Sequence, residues 1–264
     1  SSGGCAMSRD STSKILSVAL LLCLVCSILV SSAAVLLSDR QQRNKIEEKR
    51  KNILLAAGLY RAGEPIDALY RQVEQRIIDL QSGWFSDRFD PVDFDSRSLV
   101  KDPQLSRVIP DPLDLADIKR RARYKDVYLV REGEHLQQLI LPVHGKGLWS
   151  TMYGFISLAD DLTTVRGFSF YEHGETPGLG GEIDNPNWKR QWQGKQIYGD
   201  NGELRIEVAK GTVDKSDPDA VYKADGLAGS TLTARGVGNL LKYWMGADGY
   251  QPFLERLKQQ GLEP

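Results

Sequence analysis

Ile15 to Leu37 is a charge-free run of Leu, Val, Ile, Ala and Ser, bounded by Lys14 on one side and by Asp39 and Arg40 on the other. About 20 such residues cross a hydrocarbon core, so the run predicts a transmembrane helix. Ser31-Ser32-Ala33-Ala34 resembles a signal-peptidase site, but the apolar run exceeds a signal core, which predicts an uncleaved anchor. Beyond it the spacing becomes helical and charged. Ile46 to Tyr60 predicts a helix with Ile53, Leu54, Leu55 and Ala57 on its buried stripe, broken by Gly63 and Pro65. Ile66 to Leu80 predicts a second amphipathic helix, with Leu69, Val73, Ile77 and Leu80 on one face. Gly83 to Pro103 is polar and turn-rich, and Asp111-Pro112 opens a third short helix through Ala122.

From Asp126 the pattern is that of strands. Val127 to Val130, the turn Glu132-Gly133-Glu134 and Leu139 to Val143 predict a hairpin. Tyr153 to Leu158, a turn at Asp160-Asp161 and Thr164 to Glu172 predict a second antiparallel pair, and Leu204 to Val208 a further strand. Helical spacing returns in Arg235 to Met245, with Val237, Leu240, Leu241 and Trp244 inward. Gly246 to Gly249 breaks it, and Pro252 starts a last helix that buries Phe253, Leu254 and Leu257. The expected fold class is α+β: a single N-terminal transmembrane helix followed by an antiparallel-sheet domain with flanking helices. The expected division is a short N-terminal segment (1–14), the span (15–37), a helical and loop-rich connecting region (38–125) and the sheet domain (126–264).

Composition removes several chemistries. The formal net charge is -1, which gives no pull toward nucleic acid. The cysteines are Cys5, Cys23 and Cys26, so the globular part has neither disulfide nor thiolate metal site. Cys23 and Cys26 have CxxC spacing but sit in the apolar run, where two small buried side chains are the simpler reading. No GxGxxG follows a strand, and neither a GxxxxGK[ST] loop nor a GxSxG elbow occurs. Asp87, Asp90, Asp93 and Asp95 lie close together without the EF-hand's glycine and terminal glutamate in register. His144 and His173 have no spacing that links them to further ligands.

Three stretches stand out. Asp225-Gly226-Leu227-Ala228-Gly229-Ser230-Thr231-Leu232-Thr233 runs into a helix N-terminus, with Thr233 as the expected N-cap. Free amides and the helix dipole suit an anion there, and an ordinary capped turn fits the same residues. Leu141-Pro142-Val143-His144-Gly145-Lys146-Gly147-Leu148-Trp149 is a glycine-rich segment whose Trp149 is either a core residue or a flat contact for a ligand. Glu175-Thr176-Pro177-Gly178-Leu179-Gly180-Gly181 is a turn with exposed amides. Lys210 follows the expected strand at Leu204 to Val208 and is either a solvated lysine or a cation beside a site.

The first stretch resembles the flavinylation motif of the C subunit of the sodium-translocating NADH:quinone reductase, shared by the G subunit of the Rnf electron-transport complex. The family pattern is Asp, two residues, Ser or Thr, Gly, Ala, Thr. Asp225, Gly229 and Thr231 are in register; Ala228 stands in place of Ser or Thr, and Ser230 in place of Ala. The Leu-Pro-Val-His-Gly and Glu-Thr-Pro-Gly-Leu-Gly-Gly runs, Asn185-Pro186, Trp188 and Trp192 are similar to the same family. The resemblance covers the apolar anchor and most of Tyr128 to Leu257, and is weak between Arg61 and Leu113.

The resemblance implies an FMN-binding domain over 126–264, with FMN esterified through its phosphate to Thr231 by a flavin transferase. It implies a cofactor site of Trp149, Glu175, Thr176, Gly178, Leu179, Lys210, Gly229, Ser230, Leu232 and Thr233. It further implies electron relay within a complex of subunits A, B, D, E and F, especially B, D and E. The route would run from an iron–sulfur centre between D and E, through this chain, to the FMN of B and on to ubiquinone, coupled to sodium export. The large domain would be periplasmic, on a single span of a bacterial inner membrane. A positive-inside count opposes this, because Arg40, Arg43, Lys45, Lys49, Arg50 and Lys51 follow the span. An Rnf-type flavoprotein and a non-redox anchored scaffold are the other readings; the long segment before Tyr128 and the His-Gly-Lys-Gly-Leu-Trp run favour the quinone reductase.

Overall fold

The computed structural model describes residues 12–92 and 94–262 in two units that meet at Glu47/Glu48. Cys5, Met7, Arg9 and Asp93 lie outside the described residues. The first unit is helical. Helix α1 (Thr12–Ala56) begins in it and contains Ser13–Ser38, a stretch of mean hydropathy 2.8 that is long and apolar enough to cross a membrane. No Gly or Pro interrupts α1, and Cys23 and Cys26 are exposed on its surface. The helix stops at Gly58 (φ 68°), before the Gly63 and Pro65 expected to end it. The Leu59 N–H donates to Leu54 O at 2.8 Å and the Gly58 N–H to Leu55 O at 3.1 Å, a Schellman closure that needs a left-handed residue. Ile53, Leu54 and Ala57 are buried as expected; Leu55 is exposed.

The second unit is built on a sheet. In chain order it contains α2 (Ile66–Tyr70), β1 (Val73–Asp79), β2 (Trp84–Phe85), α3 (Ser96–Leu99), β3 (Ser106–Val108), β4 (Arg120–Ala122), β5 (Tyr124–Glu132), β6 (His135–Lys146), β7 (Thr151–Ala159) and β8 (Val165–Glu172). Then come α4 (Pro186–Arg190), β9 (Glu207–Val208), β10 (Lys223–Ala224), α5 (Thr231–Trp244) and α6 (Gln251–Gln260). The main sheet has six antiparallel strands in the order β2-β1-β5-β6-β7-β8. One face packs Leu129, Leu141, Ile156 and Phe168 under Val237, Leu241, Trp244, Phe253 and Leu254 of α5 and α6. The other packs Tyr128, Ile140 and Phe155 against Ile53, Leu54, Ala57 and Leu69. The four strands expected between Val127 and Glu172 are all present; the first three are longer than expected, and the fourth begins one residue later, at Val165.

Three expectations are corrected. Ile66 to Leu80 is helical only through Tyr70; Val73–Asp79 is a strand paired along its length with β5. Val73 and Ile77 lie four apart, a spacing that fits a helix face and a strand face alike. Asp111 to Ala122 is not a helix. The Asp114 carboxylate accepts the Ile118 and Lys119 N–H groups at 2.9 and 2.8 Å, and Asp117 (φ 51°) and Lys119 (φ 64°) are left-handed, which no α-helix allows. Leu204 to Val208 forms only an isolated bridge from Leu204 to Tyr198 and the short strand β9, parallel to β10.

The sheet parts at one end. The β5–β6 ladder begins at Tyr128↔Ile140, while β5 stays with β1 down to Asp79↔Tyr124 and β6 stays with β7 up to Lys146↔Thr151. Aromatic donors serve carbonyls left free by the gap: the Tyr250 hydroxyl donates to Pro142 O at 2.6 Å and the Trp244 indole to His144 O at 2.7 Å.

Asp126, on the α1 side of β5, is almost fully buried. Its carboxylate accepts from Lys49 Nζ at 3.0 Å, Ser96 Oγ at 3.2 Å and the Tyr128 hydroxyl. Burial pushes this carboxyl up, but the Lys49 and Lys125 charges and the Tyr128 hydroxyl outweigh it and hold the group at about 2. Its stabilisation is therefore complete above the ordinary carboxylate range and is lost as pH falls toward 2. Asp126→Asn should lower the unfolding free energy at pH 7 by roughly 2 kcal/mol and reduce its fall between pH 5 and pH 2. Denaturant unfolding of the full chain in detergent checks both; equal stability of the two proteins would contradict this account.

Candidate functional site: three loops around a buried carboxylate

The two glycine-rich stretches and the threonine loop converge on Glu175. The first is the turn joining β6 to β7, the second leaves β8, and the third enters α5. Glu175 is 5% exposed. Its Oε1 accepts the Trp149 and Ser150 N–H groups at 3.0 and 3.4 Å; its Oε2 accepts the Leu148 N–H at 3.2 Å and the Thr233 hydroxyl at 2.5 Å. Burial opposes the charge, but the donors from Thr233, Trp149, Leu148 and Ser150 outweigh it and hold the carboxyl below its ordinary value. The loops close tightly because glycines face the carboxylate. A Cβ at Gly147 would lie 2.5 Å from Oε1, and one at Gly180 would lie 2.8 Å from Oε2 and 2.5 Å from Thr233 Oγ1.

A second layer fixes this core. Ser150 Oγ accepts the Gly174 N–H at 2.6 Å, tying the first loop to the second. His173 Nδ1 accepts the Glu175 N–H at 3.2 Å, so its proton is on Nε2, which donates to Asp184 at 2.7 Å. Thr176 O accepts the Leu179 and Gly181 N–H groups at 3.1 and 2.8 Å, with Gly178 at φ 74°. Asp225 anchors the third loop from below. Its N–H donates to Gln191 Oε1 at 2.6 Å, its carbonyl accepts the Trp188 indole at 3.0 Å, and its carboxylate accepts the Val213 N–H at 2.7 Å. Trp188 meets Trp192 edge to face, and Asn185 caps α4 through the Asn187 N–H at 2.9 Å.

Thr231 is the first residue of α5 and is exposed. The N-cap is Ser230, not Thr233 as expected. Ser230 caps nothing with its side chain, because its hydroxyl donates to Thr233 Oγ1 at 2.9 Å, and Thr233 in turn donates to Glu175. The first turn of α5 therefore has no side-chain cap, and it is exposed at Thr231 and Leu232. Gly229 (φ 70°) turns the chain before it, and Leu179 Cδ2 lies 3.3 Å from the place of its absent Cβ. Four large apolar side chains on these loops face solvent: Leu148, Trp149 (66% exposed), Leu179 and Leu232. An apolar rim on polar loops marks a surface that something covers.

Trp149 is thus not in the core. Lys210 is exposed and makes no hydrogen bond or ion pair among the described residues, and its backbone packs on Gly226, whose N–H donates to Gly211 O at 2.9 Å. That brings the Lys210 loop against the threonine loop. No sequence pattern points to the amide donors of Leu148 and Ser150. Their link to Glu175 spans 25 or more residues and involves backbone groups, which no side-chain spacing announces.

This geometry has counterparts among known proteins. The model of the FMN-binding domain family matches residues 147–246, which contain all three loops. The chain is 49% identical to the C subunit of the Na(+)-translocating NADH-quinone reductase of Pseudomonas aeruginosa, over 95% of this chain and 98% of that one. It is 44% identical to the C subunit of the same reductase of Yersinia pestis, over 97% and 96%. The crystal structure of Shewanella oneidensis NqrC superposes with a TM-score of 0.76 at 32% identity, covering 83% of this chain and 100% of that one. The chain therefore belongs to the family of C subunits of the Na(+)-translocating NADH-quinone reductase, with the FMN-binding domain of that family.

Proposed function

We propose that Thr231 carries FMN as a phosphoester and that the chain relays electrons between redox centres of a sodium-translocating NADH:ubiquinone reductase. The observation that carries this reading is exposed Thr231 at a helix N-terminus without a side-chain cap, on a cluster of loops that also exposes Leu148, Trp149, Leu179 and Leu232. A phosphate ester there gains about 0.3–1 kcal/mol from the helix dipole and takes up first-turn amides that have no side-chain cap. The apolar rim suits a flat, largely apolar ring, with Trp149 and Leu179 as contact surface and the amides of Thr176 and Gly178 as donors to its polar edge. Lys210 supplies positive charge from the neighbouring loop. Glu175, Ser230 and Thr233 act as positioning residues: they lock the three loops and keep the first turn free. When bound, FMN supplies one-electron chemistry.

The remaining assignments follow from family membership. The apolar helix anchors the chain in a bacterial inner membrane, with the large domain in the periplasm, and a flavin transferase attaches the cofactor. A covalent tether suits that side of the membrane, where a lost flavin is not replaced from the cell's pool. The partners are subunits A, B, D, E and F, with B, D and E as immediate neighbours, and NADH oxidation and quinone reduction fall to other subunits.

Expressed with the flavin transferase, the wild-type chain should fluoresce in a denaturing gel and carry the mass of one esterified FMN. Thr231→Ala should lose both. Retained label in Thr231→Ala would move the attachment to Ser230, Thr233 or another hydroxyl.

Glu175→Gln should loosen the three loops, costing about 1–3 kcal/mol of stability and lowering the fraction of chain that becomes flavinylated. Because the folded carboxyl is held below its ordinary value, the wild type keeps this stabilisation above the ordinary carboxylate range. It loses it as pH falls through the depressed folded value. The glutamine variant should show a shallower acid limb in thermal unfolding of the full chain. An unchanged acid limb together with full flavin loading would remove Glu175 from this role.

A further inference from the structure

At the far end of α5 from Thr231, where β5 and β6 part, lies an open cavity of about 220 Å³. The two ends of α5 are separated by roughly 20 Å at 1.5 Å per residue, so this cavity is distinct from the threonine site. Its walls carry Lys125 of β5, His144 of β6, Thr151 and Tyr153 of β7, Trp244 of α5, and Arg97 and Arg120 from the segments that cross the opening.

Lys125 is the anomaly. It is 5% exposed, yet its side chain makes no hydrogen bond or ion pair among the described residues. Its one close partner is the Trp244 ring, 4.8 Å from Nζ to the centroid. The neighbouring acid does not bond to it, although its charge favours the ammonium through space. Asp126 follows Lys125 on the strand, so its side chain projects to the opposite face, where Lys49, Ser96 and Tyr128 occupy it. The other cations compound the imbalance. Arg97 bonds to Glu172 and Tyr171 and lies 3.6 Å over the Tyr153 ring, while Arg120 makes one side-chain bond, to Ser106, and no ion pair among the described residues. The carboxylate in the lining, Asp117, pairs with Lys119 at 2.7 Å. His144 is neutral: burial and the nearby Lys125 and Arg97 charges hold its ring well below its ordinary value. Burial likewise lowers the Lys125 ammonium, with Asp126 opposing, to about 8, so it is still mostly protonated at pH 7.

The stem of Lys125 is buried while its ammonium opens onto the cavity, where it has no hydrogen-bond or ion-pair partner among the described residues and a ligand can complete its coordination. We propose that this cavity binds a small oxyanion, a carboxylate or a phosphate, held by Lys125 with Arg120 as the second cation and the Thr151 hydroxyl as a neutral donor. The Trp244 and Tyr153 rings wall the contact, and the hydrogen bonds there would be charge-assisted. This inference stands apart from the flavin assignment, since it uses none of the three loops around Glu175.

The test is isothermal titration of the full flavinylated chain in detergent at pH 7 and fixed ionic strength. Inorganic phosphate and benzoate serve as the two probes, and sodium chloride as the control. Saturable one-site binding is expected for at least one probe, and which one binds distinguishes a phosphate from a carboxylate. Lys125→Met should weaken that binding at least tenfold. Should Lys125→Met fail to fold, Arg120→Gln is the second variant, with a several-fold loss expected. In-gel flavin fluorescence should be unchanged in either variant, which separates this site from the Thr231 site. Failure of both probes to saturate the wild type, or wild-type affinity in Lys125→Met or Arg120→Gln, would overturn the proposal.

Discussion

The site depends on an ionised carboxylate kept out of water. Glu175 has its charge because Leu148, Trp149, Ser150 and Thr233 all donate to it. Removing any of these would leave a buried charge short of a partner, at a cost of the order of 1–3 kcal/mol. The same requirement works in reverse. The first and third loops each keep donors on a carboxylate that the second loop carries, so three segments distant in sequence are tied to one another. The loop residues are individually exposed and would be mobile by themselves; their shared internal anion is what makes a shaped surface of them.

That arrangement also explains the character of the first turn of α5. Ser230 is a good N-cap by residue type, and an ordinary helix would use its hydroxyl to satisfy a first-turn amide. Here the hydroxyl points to Thr233, and Thr233 points to Glu175. The hydroxyls nearest the helix start are drawn inward, and the first turn is left without a side-chain cap beside the exposed Thr231. A less favourable helix terminus is the local cost, consistent with the way functional sites depart from local stability rules.

Much of this is legible in the sequence, for identifiable reasons. The strands from Val127 to Glu172 are short apolar runs separated by clear turns, so their existence and pairing follow from composition and spacing. The Asp225 to Thr233 loop, Trp149 and the Glu175 turn carry their chemistry in residue type and order. What is not legible depends on partners far away in the chain. Val73–Asp79 is a strand because β5 lies beside it, while its own apolar spacing fits a helix equally well. Asp111 to Ala122 contains good helix residues, but one carboxylate, Asp114, captures two amides and turns the chain instead. Thr233 looks like a cap until Glu175, 58 residues away, claims its hydroxyl.

Charge placement along β5 shows the same logic at the other end of the domain. Lys125 and Asp126 are adjacent and opposite in sign, a pair that a linear reading would join. Strand geometry sends them to opposite faces, so each must be neutralised separately. Asp126 meets Lys49, which ties the last turns of α1 to the sheet. Lys125 meets only the Trp244 ring, in the gap where the β5–β6 ladder has ended. The sheet could have closed that gap with further ladder pairs and an apolar residue at 125. Instead, Tyr250 and Trp244 satisfy carbonyls on β6, and the lysine is left facing a cavity.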